Sequence, residues 1–312
     1  MIKPCRISAA SLTTLRAVVG TLALMHVAIA SALPPPERVR FESLDRTGER
    51  SLTIDALLYR PSGAERTRPA VIALHGCGGL YRSDPAHRDA LTARHASHVE
   101  AWVAAGYVVL LPDSFRSRGI DEVCTVKVVD RTVNLRSRKL DTLGALRWLA
   151  DQRDIARDRI ALVGWSMGGS TALAAINGGD NDVAAFVAKR DPLPFFRAMV
   201  AFYPACAGSL RSDRWRPLVA TRVLIGEADD WTPAEPCVAL GAKAREREWP
   251  LETKVYAGAH HGFDAPSGRL VHRADVPSGV TPGRGVHVGP DPAAREDAIR
   301  RVTTFLEQRL SP

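Results

Sequence analysis

Arg159-Ile160-Ala161-Leu162-Val163-Gly164-Trp165-Ser166-Met167-Gly168-Gly169-Ser170-Thr171-Ala172-Leu173 is the stretch that decides the fold. Its apolar run, Ile160 to Val163, reads as a strand buried on both faces. The chain then turns on small residues, and Ser170 to Ala175 reads as a helix. Gly164-x-Ser166-x-Gly168 spans the junction. A serine on so sharp a strand-to-helix turn has a strained backbone, and side chains at the flanking glycines would collide with the neighbouring strand or helix. The turn holds the serine hydroxyl out above the sheet edge, with a helix N-terminus beneath it. Short patterns of this kind arise by chance, so the strand before and the helix after carry the weight.

Working outward, the chain alternates. Val39 to Leu44 and Leu52 to Tyr59 form a hairpin signal around Asp45-Arg46-Thr47-Gly48. Ala70 to Leu74 is an apolar strand ending at His75-Gly76-Cys77-Gly78-Gly79, and a helical pattern runs from about Arg88 to Ala104. Tyr107 to Leu111 is the next strand, followed by a long polar loop from Phe115 to Arg138 and an amphipathic helix from Lys139 to Asp151. Beyond the central stretch, residues 178–196 read as an irregular insertion. Strands follow at Ala198 to Phe202, Arg222 to Ile225 and Leu251 to Tyr256, with a helix from about Glu235 to Glu248. Residues 265–290 read as a glycine- and proline-rich loop, and Pro292 to Leu310 as a closing helix. Strands alternating with helices predict a single α/β domain with a mostly parallel central sheet covered by helices on both faces.

The first 32 residues differ from the rest. Lys3, Arg6 and Arg16 are basic, no residue there is acidic, and Ala17 to Ala30 is mostly apolar. Ala30-Ser31-Ala32 then precedes Pro34-Pro35-Pro36. This is the form of a secretory signal peptide over residues 1–32, cleaved after Ala32, and the run is short for a membrane span. The domain is then 33–312, secreted or periplasmic, with no stable membrane insertion. Removing the segment takes three of the 42 basic and none of the 34 acidic residues, so the net charge falls from +8 to +5. That basicity is spread without an aromatic and basic stripe, which argues against nucleic acid as a partner.

A serine hydroxyl attacks well only when a base takes its proton and a third group orients the base. In parallel sheets the reacting groups gather at the carboxyl ends of strands. The strand ending at Ile225 leads into Gly226-Glu227-Ala228-Asp229-Asp230-Trp231-Thr232-Pro233, and the one ending at Tyr256 into Ala257-Gly258-Ala259-His260-His261-Gly262-Phe263. A lone aspartate after a strand is usually a turn former, and a lone histidine usually a loop residue. The ordered trio is what points to catalysis, with Ser166 as nucleophile, Asp229 favoured over Asp230 as acid, and His261 favoured over His260 as base. An oxyanion hole needs two backbone N–H groups, expected from Met167 and from the glycine-rich loop after Leu74, with Cys77 favoured over Gly78.

These residues resemble the dienelactone hydrolase family of α/β-hydrolases. The likeness lies in Gly164-Trp165-Ser166-Met167-Gly168-Gly169-Ser170, in the Gly226-to-Pro233 segment and in Tyr256 to Asp264, and with the His75-to-Gly79 loop it covers roughly residues 50–310. The resemblance aligns the acid with Asp229 and the base with His261. It implies an α/β-hydrolase fold, hydrolysis of an ester or lactone bond in a small molecule, and no cofactor. The best-known members carry a cysteine nucleophile where this chain has Ser166. Their substrate carboxylate is held by arginines, for which Arg116, Arg118 and Arg136 are candidates, although a solvated loop face is the preferred reading of all three. A serine peptidase and a non-catalytic ligand-binding relative are the alternatives.

Of the five cysteines, Cys5 leaves with the signal segment. Four in an exported chain suggest two disulfides, and their places after neighbouring strands favour Cys77–Cys124 and Cys206–Cys237. His95 and His98 share a helix face without a third ligand in view, so no metal site is expected.

Overall fold

The structure, a computed structural model, describes residue 1 and residues 33–47, 50–63, 67–189 and 195–312. The expected signal segment and its cleavage site lie outside the described residues. Leu33–Pro312 form one compact unit.

The hairpin signal at the start is β1 (Glu37–Thr47) paired antiparallel with β2 (Arg50–Tyr59). The following strands are β3 (Arg68–Leu74), β4 (Val108–Pro112), β5 (Ile155–Trp165), β6 (Ala198–Phe202), β7 (Ala220–Gly226) and β8 (Leu251–Tyr256). They lie in the order β1-β2-β4-β3-β5-β6-β7-β8. β2 meets β4 antiparallel, and every pairing from β4 to β8 is parallel. The order reverses after β4, so β3 and β5 sit side by side with their carboxyl ends together. That brings the glycine-rich loop after β3 against the serine turn after β5. Ligands of open α/β sheets bind at such a reversal.

Helices α1 (Ala93–Ala104), α2 (Leu135–Ala150), α3 (Met167–Ala175), α4 (Asn181–Ala188), α5 (Ala207–Arg211), α6 (Ala234–Glu246) and α7 (Pro292–Leu310) complete the order. The two faces of the sheet can be read from neighbouring residues of β5. Trp165 packs against His95, His98 and Trp102 of α1, whereas a side chain at Gly164 would strike α3. Arg295 of α7 donates to Ser97 Oγ of α1, so these two helices share one face. α2 and α3 pack together on the other. Buried on both sides, Ile160 to Val163 and all of β6 have no exposed surface, which is why they read as unbroken apolar runs.

Four stretches depart from expectation. α1 begins at Ala93, because the side chain of Thr92 accepts from the His95 N–H and caps it there. α2 begins four residues earlier than Lys139: Asn134 and Ser137 cap each other reciprocally, a box that polar loop composition conceals. The stretches expected to be irregular hold α4, capped by Asp180, and a small hairpin of β9 (Val271–Arg273) and β10 (Val286–Val288). Both are short elements fixed by tertiary contacts. Lys139 binds Asp180 at 2.6 Å, and Asp230 binds His287.

Two disulfides join Cys77 to Cys124 and Cys206 to Cys237. Among the described residues no helix is long and apolar enough to cross a membrane.

Candidate active site

The turn after β5 is as tight as its letters suggest. A Cβ at Gly164 would lie 2.3 Å from Gly168 O, and one at Gly168 would lie 2.1 Å from Leu74 O. Between them Ser166 has φ 54°, ψ −119°, a left-handed backbone that a side-chain-bearing residue adopts at a cost of roughly 1–3 kcal/mol. Its N–H is held by Phe202 O at 2.9 Å. Met167 opens α3, so its N–H has no partner within the helix and adds to the positive end of the dipole. Ser166 is half-buried and Met167 buried, and both line a cavity of about 520 Å³.

Asp229 and His261 meet. The Asp229 carboxylate is almost fully buried and accepts four hydrogen bonds: from the N–H groups of Trp231 and Thr232 on one oxygen, and from Thr232 Oγ1 and His261 Nδ1 on the other. The His261 bond is 2.8 Å. Donation from Nδ1 leaves Nε2 as the acceptor of the neutral ring. The imidazole lies between two aromatic rings, Tyr203 at 4.5 Å and Trp231 at 4.7 Å between centroids. Trp231 and Thr232, whose N–H groups bind Asp229, line the same cavity as Ser166. Among the described residues Ser166 Oγ forms no hydrogen bond, His261 included.

The neighbours weighed against these residues face elsewhere. Asp230 turns away to accept the backbone N–H of His287 at 2.8 Å and to bind its Nδ1 at 2.7 Å. His260 packs on His287, and its buried Nδ1 has no partner among the described residues. Gly258 and Gly262, both left-handed, flank the turn, and within it His260 meets His287 whereas His261 meets Asp229.

Cys77 lines the cavity beside Met167, and its disulfide ties the loop after β3 to the polar segment that forms the cavity's far wall. That wall carries Val128, Arg131 and Leu135. Of the three arginines named from sequence, Arg116 is bound to Asp89 and Asp121 and lies over Tyr81, and Arg118 grips Asp141 and Asp45. Arg136 lines the cavity and pairs with Asp182. Arg131, not singled out from sequence, lines it too, and burial lowers its pKa.

Sequence reading also passed over the group that joins the site together. Asp264 has no exposed surface, and its carboxylate accepts from Tyr203 Oη at 2.6 Å, Trp165 Nε1 at 2.8 Å, His98 Nε2 at 2.9 Å and Arg94 Nε at 3.0 Å. Burial alone would raise its pKa, but the charge of Arg94 and the bonds from His98 and Tyr203 outweigh it and hold the carboxyl far below the usual range. His98 is thus a partner of this carboxylate, and His95 is kept neutral by burial, its pKa lowered to about 3. Among the described residues no group of three His, Cys, Asp or Glu side chains is placed to hold a metal ion.

A strained serine between the fifth strand of such a sheet and the helix that follows is the architecture of the α/β-hydrolases. Within that class the chain belongs to the dienelactone hydrolase family, whose family model matches residues 54–310. The family places it among hydrolases of carboxylic esters. A search of curated proteins finds no match. Among solved structures, a Klebsiella pneumoniae protein described as a dienelactone hydrolase is 16% identical, with a TM-score of 0.58 over 87% of this chain and 99% of that one. Esterase 2 of Thermogutta terrifontis in its apo form is 17% identical at a TM-score of 0.58, covering 90% of this chain and 97% of its own. The dipeptidyl peptidase 4 of Porphyromonas gingivalis is 14% identical at the same TM-score, with 89% of this chain matching only 36% of that one. At these identities the likeness is one of fold.

Proposed function

We propose that the chain is an exported serine esterase that acts through an acyl-enzyme, with Ser166, His261 and Asp229 as its triad. The observation that carries this reading is the 2.8 Å bond between His261 Nδ1 and a fully satisfied Asp229, which is bound by two residues that line the same cavity as Ser166. Ser166 Oγ bonds to the ester carbonyl carbon while His261 Nε2 takes its proton. The oxyanion that forms is stabilised by the N–H groups of Met167 and Cys77. Collapse breaks the ester C–O bond, and His261 gives the proton to the leaving alcohol. Water then repeats the sequence on the acyl-enzyme, releasing the acid and restoring Ser166. Asp229 holds the tautomer and stabilises the imidazolium. The bond between serine and histidine is often long without substrate and closes in the complex.

The cavity walls favour a small-molecule ester or lactone with an apolar portion: Val128, Leu135, Met167 and Trp231 line the space beside Ser166. Two disulfides support export, since such bonds persist in oxidising compartments. They support in turn the reading of residues 1–32 as a signal peptide and of 33–312 as the mature domain. Labelling with a fluorophosphonate probe tests the nucleophile. Wild-type protein should be labelled at Ser166 and Ser166→Ala should not, with hydrolysis of p-nitrophenyl butyrate falling by about four to six orders of magnitude. Retained esterase activity in Ser166→Ala would overturn the reading.

A further inference from the structure

Arg138 is the most deeply buried cation near the site, with 1% of its surface exposed. Its Nη2 donates to the carbonyl of His75 at 2.8 Å, while Nε and Nη1 have no partner among the described residues. The guanidinium lies 5.2 Å from the centre of the Phe115 ring, whose edge meets the ring of His75. Two carboxylates that could neutralise it are engaged elsewhere. Asp141 takes Ser43 and both terminal nitrogens of Arg118, and Asp113 accepts the N–H groups of Phe115 and Arg116. A buried cation without a hydrogen-bonded counter-ion is costly, and burial pushes its pKa down to about 10.

The position of this charge is informative. Three successive carbonyls of the loop after β3 are held by donors. His75 O is held by Arg138, Gly76 O by the Gly79 N–H and by His75 Nδ1, and Cys77 O by the Val123 N–H. The C=O and N–H of one peptide unit point in opposite directions. Pinning the Gly76 carbonyl therefore aims the Cys77 N–H, and pinning the His75 carbonyl aims the Gly76 N–H. The Cys77 N–H donates to no acceptor among the described residues. Gly76 itself lies against the nucleophile, since a Cβ there would come within 3.4 Å of Ser166 Cβ. His75 is kept neutral, its pKa well below the ordinary value because of burial and the neighbouring Arg138, so the positive charge stays on the arginine.

We propose that Arg138 is a positioning residue for the oxyanion hole: it holds the His75 carbonyl, and with it the Gly76 peptide that lies against Ser166 and leads into Cys77, and its charge, which no carboxylate hydrogen-bonds, adds to the field where negative charge develops. The inference rests on the reading of Ser166 as nucleophile and of the Cys77 loop as part of the hole. In a low-dielectric interior a fixed cation close to the reacting oxygen acts at a strength water would abolish. Arg138 need not touch substrate to do so.

The test compares Arg138→Met, Arg138→Gln and Arg138→Lys in the full chain. kcat and KM are measured on p-nitrophenyl butyrate, affinity for a trifluoromethyl ketone that serine converts to a tetrahedral oxyanion, and Tm by circular dichroism. Met and Gln should each lower kcat about 10- to 100-fold, weaken the ketone by a like factor and leave KM within about threefold. Tm should change little, because the loss of the donor to the His75 carbonyl is offset by removal of a buried charge. Lys, which keeps the charge, should recover activity to within about fivefold. A kcat within twofold of wild type in Arg138→Met would overturn the proposal. So would a loss confined to KM and Tm with the ketone unaffected. Should Arg138→Met fail to fold, equal activity of the Gln and Lys variants would overturn it, since they differ in charge. An active Ser166→Ala would instead sink the nucleophile reading, whereas an inert Ser166→Ala beside a fully active Arg138→Met sinks only this proposal.

Discussion

The indole N–H of Trp165, the residue before the serine, donates at 2.8 Å to Asp264, three residues past His261. Through the same carboxylate run Tyr203, which packs on the His261 ring, and two side chains of α1. One buried anion therefore fixes the spacing between the turn that carries Ser166 and the loop that carries His261.

Asp264→Asn should be strongly destabilising at neutral pH, by about 3–5 kcal/mol, because it leaves Arg94 without its buried partner. The pH dependence has a definite sign. The folded pKa of Asp264 is lowered from 3.8, so the stability it contributes is present above pH of about 4 and is lost as pH falls towards the folded value. Chemical denaturation of wild type and variant from pH 7 to pH 2.5 checks this. The gap should narrow below about pH 4, and a gap constant with pH would disprove the coupling.

The two consecutive aspartates separate cleanly. Asp229→Asn should lower kcat by about 10³- to 10⁴-fold through loss of the histidine tautomer, with KM little changed. Asp230→Asn should keep kcat within about tenfold and loosen the β9–β10 hairpin, read as faster hydrogen exchange at His287, whose amide the Asp230 carboxylate holds. Steady-state kinetics with exchange mass spectrometry distinguishes the two.

The disulfides should differ in consequence. Each closes a loop for which the chain-entropy model gives about 4 kcal/mol, with 47 residues separating one pair and 31 the other. Loss of Cys206–Cys237 by double replacement with serine should lower Tm and leave kcat nearly unchanged. Loss of Cys77–Cys124 should lower both, because Cys77 lines the cavity with Ser166 and Met167 and is the residue proposed for the oxyanion hole. Equal kcat in the two double variants would refute the distinction.

The cavity wall predicts a chain-length preference. p-Nitrophenyl butyrate or hexanoate should be cleaved with higher kcat/KM than acetate. Leu135→Glu, which places charge on that wall, should raise KM for the longer esters about tenfold with kcat little altered. A flat profile across acyl lengths would count against the apolar subsite.

The fold was legible because strands buried on both faces leave unbroken apolar runs, as β6 does, and because α7 begins and ends at its cap and its last apolar residue. The meeting of Asp229 and His261 was legible because they stand on loops after strands that prove adjacent and parallel. Asp264 and Arg138 were not. Their partners lie 99 and 63 residues away, and nothing local tells a buried carboxylate or guanidinium from one in water. The cap at Asn134 and the hairpin within 265–290 were hidden likewise: polar, glycine-rich composition reads as loop until a tertiary contact, here Asp230 to His287, shows what holds it.

That last contact has a further consequence. Asp229 holds the imidazole, and the residue beside it holds the hairpin whose Ser278 faces the cavity. The hairpin is thus tied to the loop after β7 at Asp230 and, through the bridge of Val288 to His261, to the loop after β8. Between those ties lie further fixed points, since Val276 is buried and the Val280 N–H donates to the Asp230 carbonyl. Replacement of Ser278, which alone of this hairpin lines the cavity among the described residues, is expected to alter substrate range without moving Asp229 or His261.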